Sequence, residues 1–185
     1  MPLLASVRRY NVALFRKTNS IVGHSEVIDA IVRYFAEFHI ALIVASVAYF
    51  LGGGFGPFGE RAAALDFYSL ILTVCASFLV VETIRHFHPR PRPFVELGTK
   101  QLFPVIKSST FPSAHTIFIF SLGTAIFFYA TPAAYFLGTF IYLSGLAVGW
   151  ARVASGVHYP LDIAGGAVFG VLVGMVVGYF CRFLL

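Results

Sequence analysis

The sequence predicts an all-α, polytopic membrane helical bundle with five transmembrane helices, or six if the N-terminal segment also packs in the membrane. Three observations predict it. Of 185 residues, 58% are hydrophobic and 11% charged, and the mean hydropathy is +0.84; soluble domains carry roughly 25% charged residues, so the apolar excess must face lipid. The charge-free intervals suit helices of about 20 residues, the length that crosses a hydrocarbon core of ~30 Å. The segments dividing them, Gly52 to Pro57 and Thr131-Pro132, are turn signals. The same composition excludes a collagen, a coiled coil and a disordered tail. Cys75 and Cys181 both stand inside apolar runs, make no disulfide framework and carry no message about redox compartment.

Taken in order, residues 1–30 are a basic segment expected at the membrane interface, because Arg8, Arg9, Arg16 and Lys17 interrupt every apolar run there. The same charges argue against a signal peptide. Residues 31–185 form the transmembrane domain. Its first span is expected to begin near Ile31 and to carry Arg33 and Glu37, four apart on one helical face, as a pair or as snorkelling interfacial groups. The second runs from about Ala63 to Ile84, with Asp66 and Glu82 only near its ends. From Ser108 to Ala151 there are 44 residues without a Lys, Arg, Asp or Glu, about twice one crossing, and the Thr131-Pro132 break divides them into the third and fourth spans. The fifth lies between Asp162 and Arg182. Within it Gly166, Gly170, Gly174 and Gly178 recur every four residues, a stripe that either packs inside the bundle or seams a homodimer.

Threading five spans puts the N-terminus and the 85–114 and 151–161 connections on one side of the membrane. Ten of the thirteen basic residues fall there: Arg8, Arg9, Arg16, Lys17, Arg85, Arg90, Arg92, Lys100, Lys107 and Arg152. His86, His88, His115, His158 and Asp162 share that side. With a net charge of +5, this face is built to meet an anion at the membrane surface, either lipid headgroups or an anionic substrate; nucleic acid is not the expected partner.

Three elements on that face could do chemistry. Arg85-His-Phe-His-Pro-Arg-Pro-Arg92-Pro93 offers guanidinium forks to phosphate oxygens on a stretch that prolines stiffen. By itself it could equally be a basic loop touching headgroups. His86 and His88 lie two apart without a credible set of further ligands, so no metal site is expected. Pro112-Ser113-Ala114-His115 opens the third span, where free N–H groups and the helix dipole favour an anion; an ordinary serine cap followed by a chance histidine would look the same. In the third, Arg152 precedes His158, and Asp162 follows four residues later, so the carboxylate can accept from one imidazole nitrogen and leave the other as nucleophile or base. An ionisable pair beside an arginine at a membrane helix end costs enough to favour a functional role over a structural one.

Together the three elements resemble the signature of the type-2 phosphatidic acid phosphatase superfamily of membrane lipid phosphatases, which also includes vanadium haloperoxidases. The family pattern is Lys-x6-Arg-Pro, Pro-Ser-Gly-His and Ser-Arg-x5-His-x3-Asp. Arg85 through Arg92-Pro93, Pro112 through His115, and Ala151-Arg152 through His158 and Asp162 match its order and spacing. Arg85 stands for lysine, keeping charge but changing a point donor into a planar fork; Ala114 stands for glycine and Ala151 for serine.

The resemblance implies His158 as nucleophile, Asp162 as its orienting carboxylate and His115 as general acid. It implies Arg85, Arg92, Arg152, Ser113 and the Ala114 amide as phosphate-binding groups. It implies no divalent cation and no cofactor. Among subfamilies the chain looks most like bacterial undecaprenyl-diphosphate phosphatases of the bacitracin-resistance type, with phosphatidylglycerophosphate, phosphatidate and lipid A phosphatases as alternatives. If the substrate is a diphosphate, Arg90, Lys100 and Lys107 are the expected contacts of its second phosphate. The expected setting is a multi-pass protein of the cell membrane with a lipid phosphate as partner. Counting basic residues points the catalytic face to the cytoplasm, whereas the resemblance implies the outer face. A non-catalytic binder or transporter of anionic lipids is the rival from another class, but it has no need of two histidines and an orienting carboxylate.

Overall fold

Local signals place the helix ends. Thr131 adopts extended geometry and its hydroxyl accepts from the Ala134 N–H, with Pro132 opening the next helix. Arg92 caps a short helix opened by Pro93 and closed by Gly98 in the left-handed region. The computed structural model describes residues 2–54, 60–105 and 109–183. Its helices are α1 (Pro2–Asn19), α2 (Glu26–Arg33), a π-helical turn (Tyr34–Phe38), α3 (His39–Tyr49), a short π-helical extension of α3 (Phe50–Gly54), α4 (Glu60–Phe87), α5 (Pro93–Leu97), α6 (Ala114–Phe127), α7 (Pro132–Ala154) and α8 (Pro160–Phe183). No strand occurs among the described residues.

Five apolar helices stand where five were expected. Four are long and apolar enough to span: Glu26–Gly52, which joins α2, the π turn and α3, then Tyr68–Phe87 within α4, Pro132–Ala154 and Pro160–Phe183. The fifth, α6, is shorter. At 1.5 Å per residue its 14 residues reach only about 21 Å, and it is buried along nearly its whole length by α4, α7 and α8. A helix enclosed by others need not span the hydrocarbon, and its N-terminus lies inside the bundle instead of on its surface.

Three details depart from the sequence expectations. The first span opens at Glu26, so residues 26–30 are the first turns of the spanning helix and not part of the interfacial segment. Arg33 and Glu37 do not take the pairing that was one of their two expected roles: Glu37 falls inside the π turn that Arg33 precedes, whose i→i+5 bonds depart from α-helical i,i+4 spacing. Arg33 instead donates to the Leu102 carbonyl at 3.0 Å. The segment before α2 is also more than a basic fringe. One face of α1, carrying Asn11, Phe15 and Asn19 four residues apart, is buried against α7 and α8, while Arg8 and Arg9 lie exposed.

The glycine stripe of α8 is spent inside the bundle. A Cβ at Gly166 would meet the Ser113 carbonyl at 2.9 Å, and one at Gly170 would meet the Ile117 carbonyl at 2.6 Å. The stripe therefore seats α6 against α8, the first of the two roles its spacing allows.

Candidate active site

Arg85 lies in the last turn of α4, Arg92 caps α5, and Ser113, Ala114 and His115 open α6. Arg152 lies in the last turn of α7 and Asp162 in the first of α8, with His158 between them. Residues 151–159 are all buried, as a polar turn must be if it is to lie within a membrane bundle. Gly156 makes the turn possible: its φ is +85°, and the Lys100 carbonyl and Asn19 amide occupy the space a side chain would need.

The two connections are stitched to one another. Arg92 Nη1 donates to the Val157 carbonyl at 3.0 Å, Leu102 N to the Ser155 carbonyl at 3.2 Å, and Ser113 N to the Asp162 carbonyl at 3.1 Å. Arg85 Nη2 reaches the Pro112 carbonyl at 3.3 Å, and its Nη1 reaches Glu82 at 3.4 Å. Arg152 Nη1 donates to the Ala36 carbonyl, within the π turn, at 3.1 Å. These bonds draw the three signature blocks to one place. Arg152, His158, Arg85 and Arg92 all lie within electrostatic reach of His115.

A cavity of about 410 Å³ opens there, lined by Glu37, Arg92, Phe103, Pro104, Val105, His115 and Arg152. Arg85 Nε and Arg152 Nε are buried with no hydrogen-bond partner among the described residues. Guanidinium N–H groups held in that way are costly unless an anion meets them. Ser113 is fully buried at the cap position, yet its hydroxyl caps no backbone N–H; it accepts from Thr116 Oγ1 at 3.0 Å. The first intrahelical bond runs from Ile117 N to the Ser113 carbonyl, so the amides of Ala114 to Thr116 precede it at the positive end of the helix dipole.

His158 Nδ1 lies 3.5 Å from Asp162 Oδ2. Burial pushes the His158 imidazolium down from its ordinary 6.5 to about 4, against the opposing pull of Asp162, so at neutral pH the ring keeps a lone pair for a nucleophile. Burial, with Arg85 nearby, likewise draws the Arg92 guanidinium below its ordinary value, a shift that a bound anion would oppose.

Not every expected contact gathers here. Arg90 lies 3.5 Å from Asp162 Oδ1, with its guanidinium over the Phe111 ring, and faces a separate apolar groove with His88, Leu161 and Phe169. Lys100 Nζ donates to the Val22 carbonyl at 3.2 Å. Neither lines the cavity, because each is engaged by a carboxylate or carbonyl of a neighbouring segment; Lys107 lies outside the described residues. Among the described residues, no three His, Cys, Asp or Glu side chains gather as a metal-ligand set.

Sequence reasoning misses several residues here. Thr110 sits between His158 and Asp162. Tyr159 donates its hydroxyl to Glu96 at 2.7 Å, and Glu96 pairs in turn with Arg8 of α1. That bond to Tyr159 is the main cause holding the Glu96 carboxyl below its ordinary value. Glu37 enters the cavity from the π turn. A polar residue two before Pro112 is a visible signal for Thr110; the others have none.

Arginines turned inward in a lipid setting, around a neutral histidine backed by a carboxylate, are the equipment of an integral-membrane phosphatase. The match to a known family agrees: the PAP2 superfamily model covers residues 66–183, and the chain belongs to that superfamily. It is 31% identical over 172 residues to the bacitracin transport permease protein BcrC of Bacillus licheniformis, spanning 90% of this chain and 78% of that one. To the undecaprenyl-diphosphatase BcrC of Bacillus subtilis it is 27% identical over 167 residues, 89% of this chain and 80% of that one. Two solved structures share the fold. LpxE of Aquifex aeolicus superposes with a TM-score of 0.69 at 24% identity, covering 91% of this chain and 94% of that one. A PAP2-type phosphatidylglycerolphosphate phosphatase of Bacillus subtilis gives 0.70 at 20% identity, with 95% and 86% covered.

Proposed function

We propose that this chain is a metal-independent lipid phosphatase acting on undecaprenyl diphosphate through a phosphohistidine intermediate. The observation that carries the chemistry is the cavity itself: His115, Arg92 and Arg152 line it together, with the neutral, carboxylate-backed His158 within their electrostatic reach. His158 Nε2 attacks phosphorus while the bond from phosphorus to the leaving oxygen breaks, and His115 delivers a proton to that oxygen. Water then attacks the phosphohistidine, His115 takes the proton, and inorganic phosphate leaves with His158 restored. Arg85, Arg92, Arg152 and the α6 amides neutralise the charge that spreads over the equatorial oxygens, the task a metal performs in other phosphoryl transferases. For the substrate, the support is the diphosphatase to which the chain is 27% identical.

Phosphate release in detergent with EDTA present tests this, using undecaprenyl diphosphate, phosphatidylglycerophosphate, phosphatidate and lipid A phosphate. Fastest release from undecaprenyl diphosphate, with inhibition by orthovanadate as a mimic of the transferring group, is expected. Equal rates on all four would leave a general lipid phosphatase. Activity lost to EDTA and restored by magnesium would overturn the mechanism, and lipid binding without phosphate release would favour a transporter.

A further inference from the structure

The direct link between His158 and Asp162 is long. At 3.5 Å, the Nδ1 to Oδ2 separation is at the outer limit of a hydrogen bond, too loose to fix a ring by itself. Between them stands the hydroxyl of Thr110, fully buried, 2.6 Å from Asp162 Oδ2 and 3.1 Å from His158 Nδ1.

The proton inventory decides what such a hydroxyl does. Threonine has one O–H to give and lone pairs with which to accept. Its nearer acceptor is the carboxylate; the alternative, the Val157 carbonyl, is at 3.5 Å. A charged acceptor at short range takes the proton, so the Thr110 oxygen is left to accept. Among the described residues, the neighbour placed to donate to it is Nδ1–H of His158, at 3.1 Å. Nδ1 therefore carries the ring proton, and the lone pair is confined to Nε2. Thr110 is itself clamped: its N–H donates to the Arg90 carbonyl at 2.9 Å, and Arg90 N donates to Ser109 Oγ at 3.0 Å. Asp162 Oδ2 also accepts from Tyr159 N at 2.7 Å, which holds the carboxylate still while the hydroxyl passes its orientation on.

The geometry assigns Thr110 as a positioning residue that relays Asp162 to His158 and sets the Nδ1–H tautomer of the nucleophile. This deepens the mechanism proposed above and rests on its choice of His158.

The test compares Thr110→Val, which keeps the shape and removes both bonds, with Thr110→Ser, which keeps the hydroxyl. Single-turnover formation of phosphoenzyme should slow about 10²-fold in T110V, with KM unchanged because the phosphate-binding arginines are untouched; T110S should recover most of the rate. Nitrogen-15 spectra of labelled histidine should show the Nδ1–H tautomer at His158 in the unmodified protein and in T110S, and a mixture in T110V. A normal rate and tautomer in T110V, or a T110S as slow as T110V, would overturn the relay. His158→Ala measured in parallel separates the two ideas. Phosphoenzyme persisting in H158A would remove the nucleophile assignment, while the tautomer of T110V would still report on Thr110.

Discussion

Asn11 Oδ1 accepts a hydrogen bond from the backbone N–H of Leu161 at 3.0 Å, so a side chain of the basic N-terminal helix caps the helix that carries Asp162. Phe15, one turn further along α1, meets the Tyr159 ring edge-on at 5.3 Å. Asn19, another turn on, donates to the carbonyls of Ala154 and Lys100 at 2.8 and 3.1 Å. The segment with no signature residue of its own thus braces the turn between Arg152 and Asp162.

Asn11→Ala should cost about 1 kcal/mol, the usual value of a lost cap, read as a lower Tm in detergent. Because the cap steadies the turn that holds Asp162, kcat should fall more than KM rises. Asn11→Asp, which keeps an acceptor at a helix N-terminus, should retain both. An unchanged Tm in N11A would show that the cap contributes nothing.

The two histidines should separate by leaving group. His158→Ala should abolish phosphoenzyme and turnover alike. His115→Ala should lose about 10²–10⁴-fold on lipid substrates and much less on a substrate whose leaving oxygen needs no proton. Equal losses on both kinds of substrate would argue against His115 as the acid.

The acid limb of phosphoenzyme formation should lie near pH 4, because burial lowers the His158 pKa from 6.5 to about 4. The same shift bears on stability. Between those values the unfolded chain binds a proton that the native state refuses, so native stability climbs from about pH 4 to 6.5 and is level above. Thermal unfolding of the unmodified protein and of His158→Gln, followed from pH 7 to pH 4, should converge as the pH drops. Parallel curves would contradict the buried neutral histidine.

Gly170→Leu should disrupt folding rather than oligomerisation, since even a Cβ there approaches the Ile117 carbonyl to 2.6 Å. Overpacking of this kind costs about 1–3 kcal/mol where neighbours can yield, and more against backbone that cannot move. The check is recovery of monodisperse protein in detergent: a well-folded G170L would remove the close packing of α6 on α8.

Much of this protein is legible in one dimension, for a physical reason. Lipid tolerates almost no ionised group, so the charge-free intervals mark the spans, and the few charges left between them mark the chemistry. His158 and Asp162 stand four apart across the start of α8, so a short stretch of chain suffices to bring them to 3.5 Å of one another. Tertiary structure decided what depends on residues distant in the chain. Thr110 meets His158 and Asp162, and Asn11 meets Leu161, only because the connections and α1 fold across one another. Arg90 goes to Asp162 and Lys100 to the Val22 carbonyl, acceptors that only the folded chain brings to them, a choice between equally basic residues that no composition reveals. Glu37 lines the cavity while Arg33 bonds the Leu102 carbonyl, and the π turn that holds Glu37 interrupts a helix whose sequence pattern is otherwise ordinary.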